Sequence, residues 1–286
     1  MTPKRIIKSA VLHILAAAGY VLLLPLWRRN RNAFRILTYH SIGDRRPHET
    51  NVSSEAFDRQ MAFLASATRP VAMQDIFTTP GDGRAQVIVT MDDGYADNLD
   101  VAQPILARHG IPAVCFLTAD YVGTDRLLPH DARYIAEQAR LLTWDEAKEL
   151  ARRGITIGSH GKSHLRLSTL DDDAIRAEMS GSMKRIHEET GVEVVYVSFP
   201  FGRAGDFDQR AVVAAREAGY CVSLCAMYGT NRCGEQDGPL RRIGVESSDT
   251  LFTLRAKLNG ALDLLALFET LLGRSIVRGL NALTGG

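Results

Sequence analysis

The chain of 286 residues is 45% hydrophobic and 23% charged, a globular composition with apolar mass for a full core and too little charge for a disordered chain. Its 34 Lys and Arg nearly cancel its 33 Asp and Glu, leaving a net charge of +1. No domain-wide basic field is available to neutralise phosphates, so nucleic acid is not an expected partner. The four cysteines are too few for a disulfide scaffold: Cys115 lies in an apolar run, and Cys221, Cys225 and Cys233 lack CxxC spacing, so all four read as packing residues.

In chain order, Lys4, Arg5 and Lys8 precede an apolar run from Ala10 to Trp27 that only His13 interrupts, and Arg28, Arg29, Arg31 and Arg35 follow it. At about 1.5 Å per residue the run spans roughly 27 Å, enough for a thin hydrocarbon core. It continues past Ala16-Ala17-Ala18, where a cleavable signal would stop. Residues 1–30 are therefore expected to form an N-terminal membrane-anchor helix through residues 10–27, with a signal peptide or a surface-lying helix as alternatives. From Phe34, short apolar runs rich in Val, Ile and aromatics alternate with helical patterns. Residues 34–38, 86–91, 113–117, 155–158, 194–199 and 220–224 read as strands. Leu99 to Leu106 reads as a helix, and Thr143 to Glu146 as a capping box opening a helix over 147–153. Segments 171–190 and 206–218 are expected helices closed by Gly191 and Gly219. This alternation predicts an α/β fold with a parallel sheet over residues 31–250, a barrel if the reactive residues gather at strand ends. Residues 251–286, with Leu258, Leu262, Leu265, Leu272 and Ile276 at helical spacing, read as an amphipathic helical tail packed on the barrel, with a helix lying on lipid as the alternative.

Three motifs carry chemistry. The run Val87 to Met91 leads straight into Asp92-Asp93-Gly94-Tyr95, and a buried strand does not end in two acids without a reason. Adjacent residues point in different directions, so one carboxylate can ligate a metal while its neighbour handles a proton. Ser159-His160-Gly161-Lys162-Ser163-His164 places two imidazoles four residues apart just past another strand. On a helical turn both would face one cation, leaving positions open for water and substrate. Val197-Ser198-Phe199-Pro200-Phe201-Gly202 ends a third strand in a turn that can present backbone N–H groups to an oxyanion.

In this order the motifs resemble those of the polysaccharide deacetylases, the nodulation-type homology family also classed as carbohydrate esterase family four, over roughly Phe34 to Val245. The resemblance implies a distorted (β/α) barrel with one divalent metal ion, zinc being the expected one, at the strand ends. It implies Asp92 as catalytic base, Asp93, His160 and His164 as metal ligands, and the Phe201 N–H in the oxyanion hole. The implied activity is hydrolysis of N-acetyl groups from an N-acetylated polysaccharide or oligosaccharide by metal-bound water, with release of acetate. Another metal-dependent hydrolase on the same barrel, or a non-catalytic glycan binder, are the competing readings.

Two departures matter. The family's arginine two positions before the third-motif proline is replaced by Ser198, and the family's late Leu-x-His acid is missing, since all eight histidines fall at or before His187. Leu37-Thr38-Tyr39-His40 resembles the opening of the branch acting on poly-N-acetylglucosamine and puts His40 on the rim as a replacement acid. Arg242, in Leu240-Arg241-Arg242-Ile243, is the other replacement cation. Tyr39, Tyr95, Phe201 and Trp144 are candidate sugar-stacking surfaces. Cysteines without a pairing pattern favour a catalytic domain on the cytoplasmic side of the membrane.

Overall fold

The structure, a computed structural model, describes residues 33–44, 48–77, 84–134, 138–232 and 238–263, together with 10, 13–17, 19 and 266. Six parallel strands form its centre: β1 Ala33–Tyr39, β2 Gln86–Met91, β3 Ala113–Leu117, β4 Thr156–Ser159, β5 Tyr196–Ser198 and β6 Val222–Leu224. They pair in chain order, each with the next, and the sheet curls into a half-barrel. A short strand β7, Ile243–Gly244, pairs parallel with β1 at the sheet's opposite edge. Just upstream, Leu240 bridges to Leu224 of β6, so segment 240–244 spans the gap between the two edges.

The strands bury both faces, which is why β2 reads as an unbroken apolar run with all six residues buried. Period-two alternation sorts their side chains. Phe34, Ile36, Ile88, Val114, Phe116, Tyr196, Val222 and Leu224 fill one cluster inside the curl. Leu37, Val87, Val89, Cys115, Leu117, Ile157 and Val197 face outward into the larger helix-covered core. Gly158 belongs to the crowded inner face, where a Cβ would lie 2.5 Å from the Phe116 ring.

The covering helices are α1 Ser54–Ala67, α2 Gln103–His109, α3 Trp144–Arg152, α4 Asp172–Thr190, α5 Gln209–Ala218 and α6 Leu251–Asn259. Thr143 and Glu146 form the expected capping box of α3, and Gly191 and Gly219 close α4 and α5 in left-handed conformation. Helix α5 starts later than its sequence pattern suggests. Asp208 caps the Arg210 N–H at 2.9 Å, whereas Asp206 is committed to Arg166 and the Arg203 N–H. The expected helix at Leu99 begins as a π-helical turn over Asn98–Ala102 before becoming α2.

Most of the apolar run from Ala10 to Trp27 lies outside the described residues, so the expected N-terminal helix is not supported. Within it, His13 stacks on Phe252 with centroids 5.6 Å apart, and Ala16 is buried. Among the described residues, no helix is long and apolar enough to cross a membrane. Helix α6 ends at Gly260. Leu258 and Leu262 are buried, while Leu265, Leu272, Ile276 and Cys233 fall outside the described residues. Of the cysteines described, Cys115 and Cys225 are buried and Cys221 is exposed.

Candidate active site

The inner-face alternation carries the sequence into the site. On β2, Ile88, Thr90 and Asp92 share a face; on β1, Ile36 and Thr38 lead to His40; on β4, Gly158 leads to His160; on β5, Tyr196 leads to Ser198. Each side chain at a strand's C-terminal end therefore points into the mouth of the curl, where parallel α/β barrels place their chemistry.

Asp92 is 3% exposed and is gripped by Arg242, whose Nη1 and Nη2 donate to its Oδ1 and Oδ2, each at 2.7 Å. Arg242 arrives on the segment just before β7. It is itself 1% exposed, and its other donors reach Ser198 Oγ at 2.6 Å, Thr90 Oγ1 at 3.3 Å and the Cys225 carbonyl at 3.1 Å. Burial pushes the Asp92 carboxyl upward, but the Arg242 charge and hydrogen bonds, with His160, outweigh it and hold the carboxyl below its usual range. Ser198 does not leave the base unheld: its hydroxyl lies 3.4 Å from Asp92 Oδ2 and accepts from the distant arginine. Arg242 has therefore no place as a proton donor to a leaving group, because a guanidinium does not deprotonate in a protein and its forks are filled.

Asp93 turns away from β2 at φ +75° and is 1% exposed. Its Oδ1 lies 3.5 Å from His160 Nε2 and 3.4 Å from His164 Nε2, and neither of its oxygens makes a hydrogen bond. His160 Nδ1 lies 2.9 Å from the Ser198 carbonyl, an acceptor, so Nδ1 carries the proton and the Nε2 lone pair faces Asp93. Burial pushes the His160 imidazole down to about 4, keeping that lone pair available near neutral pH. One donor atom from each of Asp93, His160 and His164 lies within 4.8 Å of the others. A buried carboxylate without hydrogen bonds that faces the His160 lone pair is costly, and a divalent cation is a partner that this oxygen and nitrogen set fits.

The two histidines come together by a different route from the expected helical turn. Residues 160–166 are not helical. Gly161 at φ +73° and His164 at φ +55° fold the chain back, bringing the rings to 5.1 Å. Glu178 of α4, buried, holds this loop by accepting from the Lys162 and Ser163 N–H groups, each at 2.9 Å. Among the described residues, the non-glycine positions at positive φ are Asp93, His164 and Phe201. Each such position costs about 1–3 kcal/mol and persists where the surroundings over-determine it; here all three bound one site.

The candidate stacking surfaces divide. Phe201 is 37% exposed, with its ring 4.8 Å from that of His164 and the Arg166 guanidinium 4.2 Å above it, so it stands at the rim. Tyr39 is not at the rim as expected: odd-numbered on β1, it points outward into the core, fully buried, with its hydroxyl donating to Gln60 Oε1 at 3.0 Å and its edge on Phe57. Tyr95 is buried too and offers no face to a sugar; its hydroxyl donates to Asp131 Oδ2. Trp144 opens α3 on the outer layer and packs against the core. His40 closes β1 half-buried, with a buried Nδ1 that makes no hydrogen bond and a backbone carbonyl held by Asn98 Nδ2 at 2.9 Å. Burial lowers its affinity for a proton, and Asp93 and Asp92 partly oppose this. Sequence reasoning missed His130, whose Nε2 is 3.5 Å from Asp93 Oδ2, because Leu128-Pro129-His130-Asp131 lies in an irregular connection with no local pattern.

A half-barrel whose buried carboxylates and imidazoles converge at the strand C-termini defines an α/β enzyme. The profile described as polysaccharide deacetylase matches residues 80–223, and the chain belongs to that family, hydrolases of N-acetyl amide bonds. The YxkH protein of Bacillus subtilis (strain 168), itself named for this family, is 28% identical over 215 residues, covering 73% of this chain and 70% of that one. Among solved structures, the Streptococcus pyogenes deacetylase PplD in complex with acetate has a TM-score of 0.66 at 18% identity, covering 79% of this chain and 98% of that one. IcaB from Ammonifex degensii has a TM-score of 0.65 at 20% identity, covering 81% and 98%. At these identities the structural likenesses establish the shared fold.

Proposed function

We propose that this chain removes N-acetyl groups from an N-acetylated polysaccharide or oligosaccharide, with Asp93, His160 and His164 holding a divalent cation, zinc foremost, and Asp92 as the base. The observation that carries the reading is the division of labour between adjacent carboxylates. Asp92 is fixed by the Arg242 fork, which takes one lone pair on each oxygen, while Asp93 faces two imidazole nitrogens with both oxygens free of hydrogen bonds. A cation held by Asp93, His160 and His164 would supply Lewis acidity toward the acetamide carbonyl and the attacking water. Asp92, kept ionised and fixed by Arg242, takes the water proton on a remaining lone pair. The Phe201 N–H, in the turn after β5, donates to the developing oxyanion. His40, whose protonation the Asp93 and Asp92 charges favour, gives its proton to the departing amine and regains one from Asp92, which carries the proton taken from water.

The test is acetate release from chitooligosaccharide, poly-N-acetylglucosamine, a lipid-linked exopolysaccharide precursor and peptidoglycan, before and after chelation. Release from at least one glycan, lost on chelation and restored by Zn²⁺, supports the reading. No release from any of them, or full activity in protein shown to be metal-free, overturns it.

A further inference from the structure

Beside the proposed metal site lies a hydrogen-bonded chain that the mechanism above does not use. Tyr95 follows the Asp92-Asp93-Gly94 turn and is 1% exposed; Asp131 is fully buried. The Tyr95 hydroxyl donates its single proton to Asp131 Oδ2 at 2.5 Å. The same hydroxyl lies 3.1 Å from His130 Nε2. With its proton spent on Asp131, the phenol oxygen is the acceptor in that second contact, so His130 Nε2 carries hydrogen. The same N–H lies 3.5 Å from Asp93 Oδ2, an electrostatic contact and not a hydrogen bond, on the side of the carboxylate away from His160 and His164, both of which face Oδ1. The His130 ring packs against His164 with centroids 5.4 Å apart, which fixes its plane from a second direction.

We infer that His130 is a positioning residue for metal binding: held by Tyr95, which Asp131 fixes, it sets its N–H beside Asp93 Oδ2 and so orients Oδ1 toward the cation shared with His160 and His164. The inference rests on the metal reading above and adds to it a residue outside the ligand set. A carboxylate free to rotate has to be ordered when the ion binds, whereas one with an N–H set beside its far oxygen is already oriented with Oδ1 toward the ion; loss of such outer partners typically weakens metal affinity about 10–100-fold. His130 itself is excluded from the ligand set by its proton, since a ring nitrogen bearing hydrogen has no lone pair for the metal.

The experiment measures Zn²⁺ affinity by competition with a chromophoric chelator for the full chain, His130→Ala, Tyr95→Phe and the double variant, with circular dichroism to confirm folding. Co²⁺ absorption reports coordination in each. The expected result is about a 10–100-fold loss of affinity in His130→Ala, a smaller loss in Tyr95→Phe, and a double variant no weaker than His130→Ala, because Tyr95 acts through His130. The Co²⁺ band positions stay those of the unaltered chain, as the ligand set is the same. If the unaltered chain binds no Zn²⁺, both the metal reading and this inference fail. If it binds and His130→Ala binds equally tightly, or the two single losses add, the inference alone fails. A changed Co²⁺ spectrum in His130→Ala makes His130 a direct ligand and also overturns it.

Discussion

Arg242 and Asp92 are separated by 150 positions in sequence and joined by two 2.7 Å hydrogen bonds in a site where both are nearly solvent-free. Replacing Arg242 with Met keeps much of the side-chain volume but leaves a carboxylate buried without its counter-charge, and removes the donors to Ser198, Thr90 and the Cys225 carbonyl. Breaking a buried pair on one side costs about 3–5 kcal/mol, a large fraction of the roughly 5–15 kcal/mol that holds a domain together. Asp92→Asn alone strands the cation and is expected to be destabilising as well. Combined, the two substitutions remove both charges, so the double variant should be more stable than the sum of the singles predicts, by about 1.5–7 kcal/mol, the coupling range of close charge pairs. Urea unfolding in EDTA, which takes metal binding out of the comparison, measures this directly. Arg242→Lys separates geometry from charge: it keeps the cation but not the two-pronged fork, so kcat should fall more than stability does. Additive single effects, or full kcat in Arg242→Lys, would refute the assignment of Arg242 as the residue that fixes the base.

Asp92→Asn is expected to retain bound metal while lowering kcat by about 10²-fold or more, the scale of lost general-base help; metal analysis beside acetate release checks this, and loss of the metal would make Asp92 a ligand. His40→Ala should reduce kcat, whereas Tyr39→Phe, altering a core hydroxyl one residue away, should leave kcat unchanged and move only the thermal midpoint; equal effects on kcat would remove His40 from the chemistry. Gly158→Ala places a Cβ 2.5 Å from the Phe116 ring and should destabilise the chain by about 1–3 kcal/mol through overpacking, read as a lower urea midpoint.

What was legible in the amino-acid order is what depends on neighbours. The strands at 86–91 and 113–117 follow from local runs of β-branched and aromatic residues, and the α3 capping box from residues three apart. Asp92 and His160 were legible because alternation along a buried strand forces the residue just beyond it into the mouth of the sheet, and Asp93 and His164 because they stand beside those two in the motifs. The spacing of the histidines was informative while the local geometry inferred from it was not: positive φ at Gly161 and His164, with Glu178 from α4 capping the loop N–H groups, is a tertiary solution that four-residue spacing does not encode. Tyr39 and Tyr95 looked like sugar platforms because aromatics beside a motif carry no mark of which way they point; packing sent the first outward to Gln60 and the second down to Asp131. The placement of Arg242 and His130 was decided by the fold alone. Arg242 enters from the segment that spans the gap between the sheet's edges, and His130 from an irregular connection after β3. Each owes its role to a carboxylate distant in the chain, and such pairings exist only once the sheet has curled and excluded the water that would otherwise screen them.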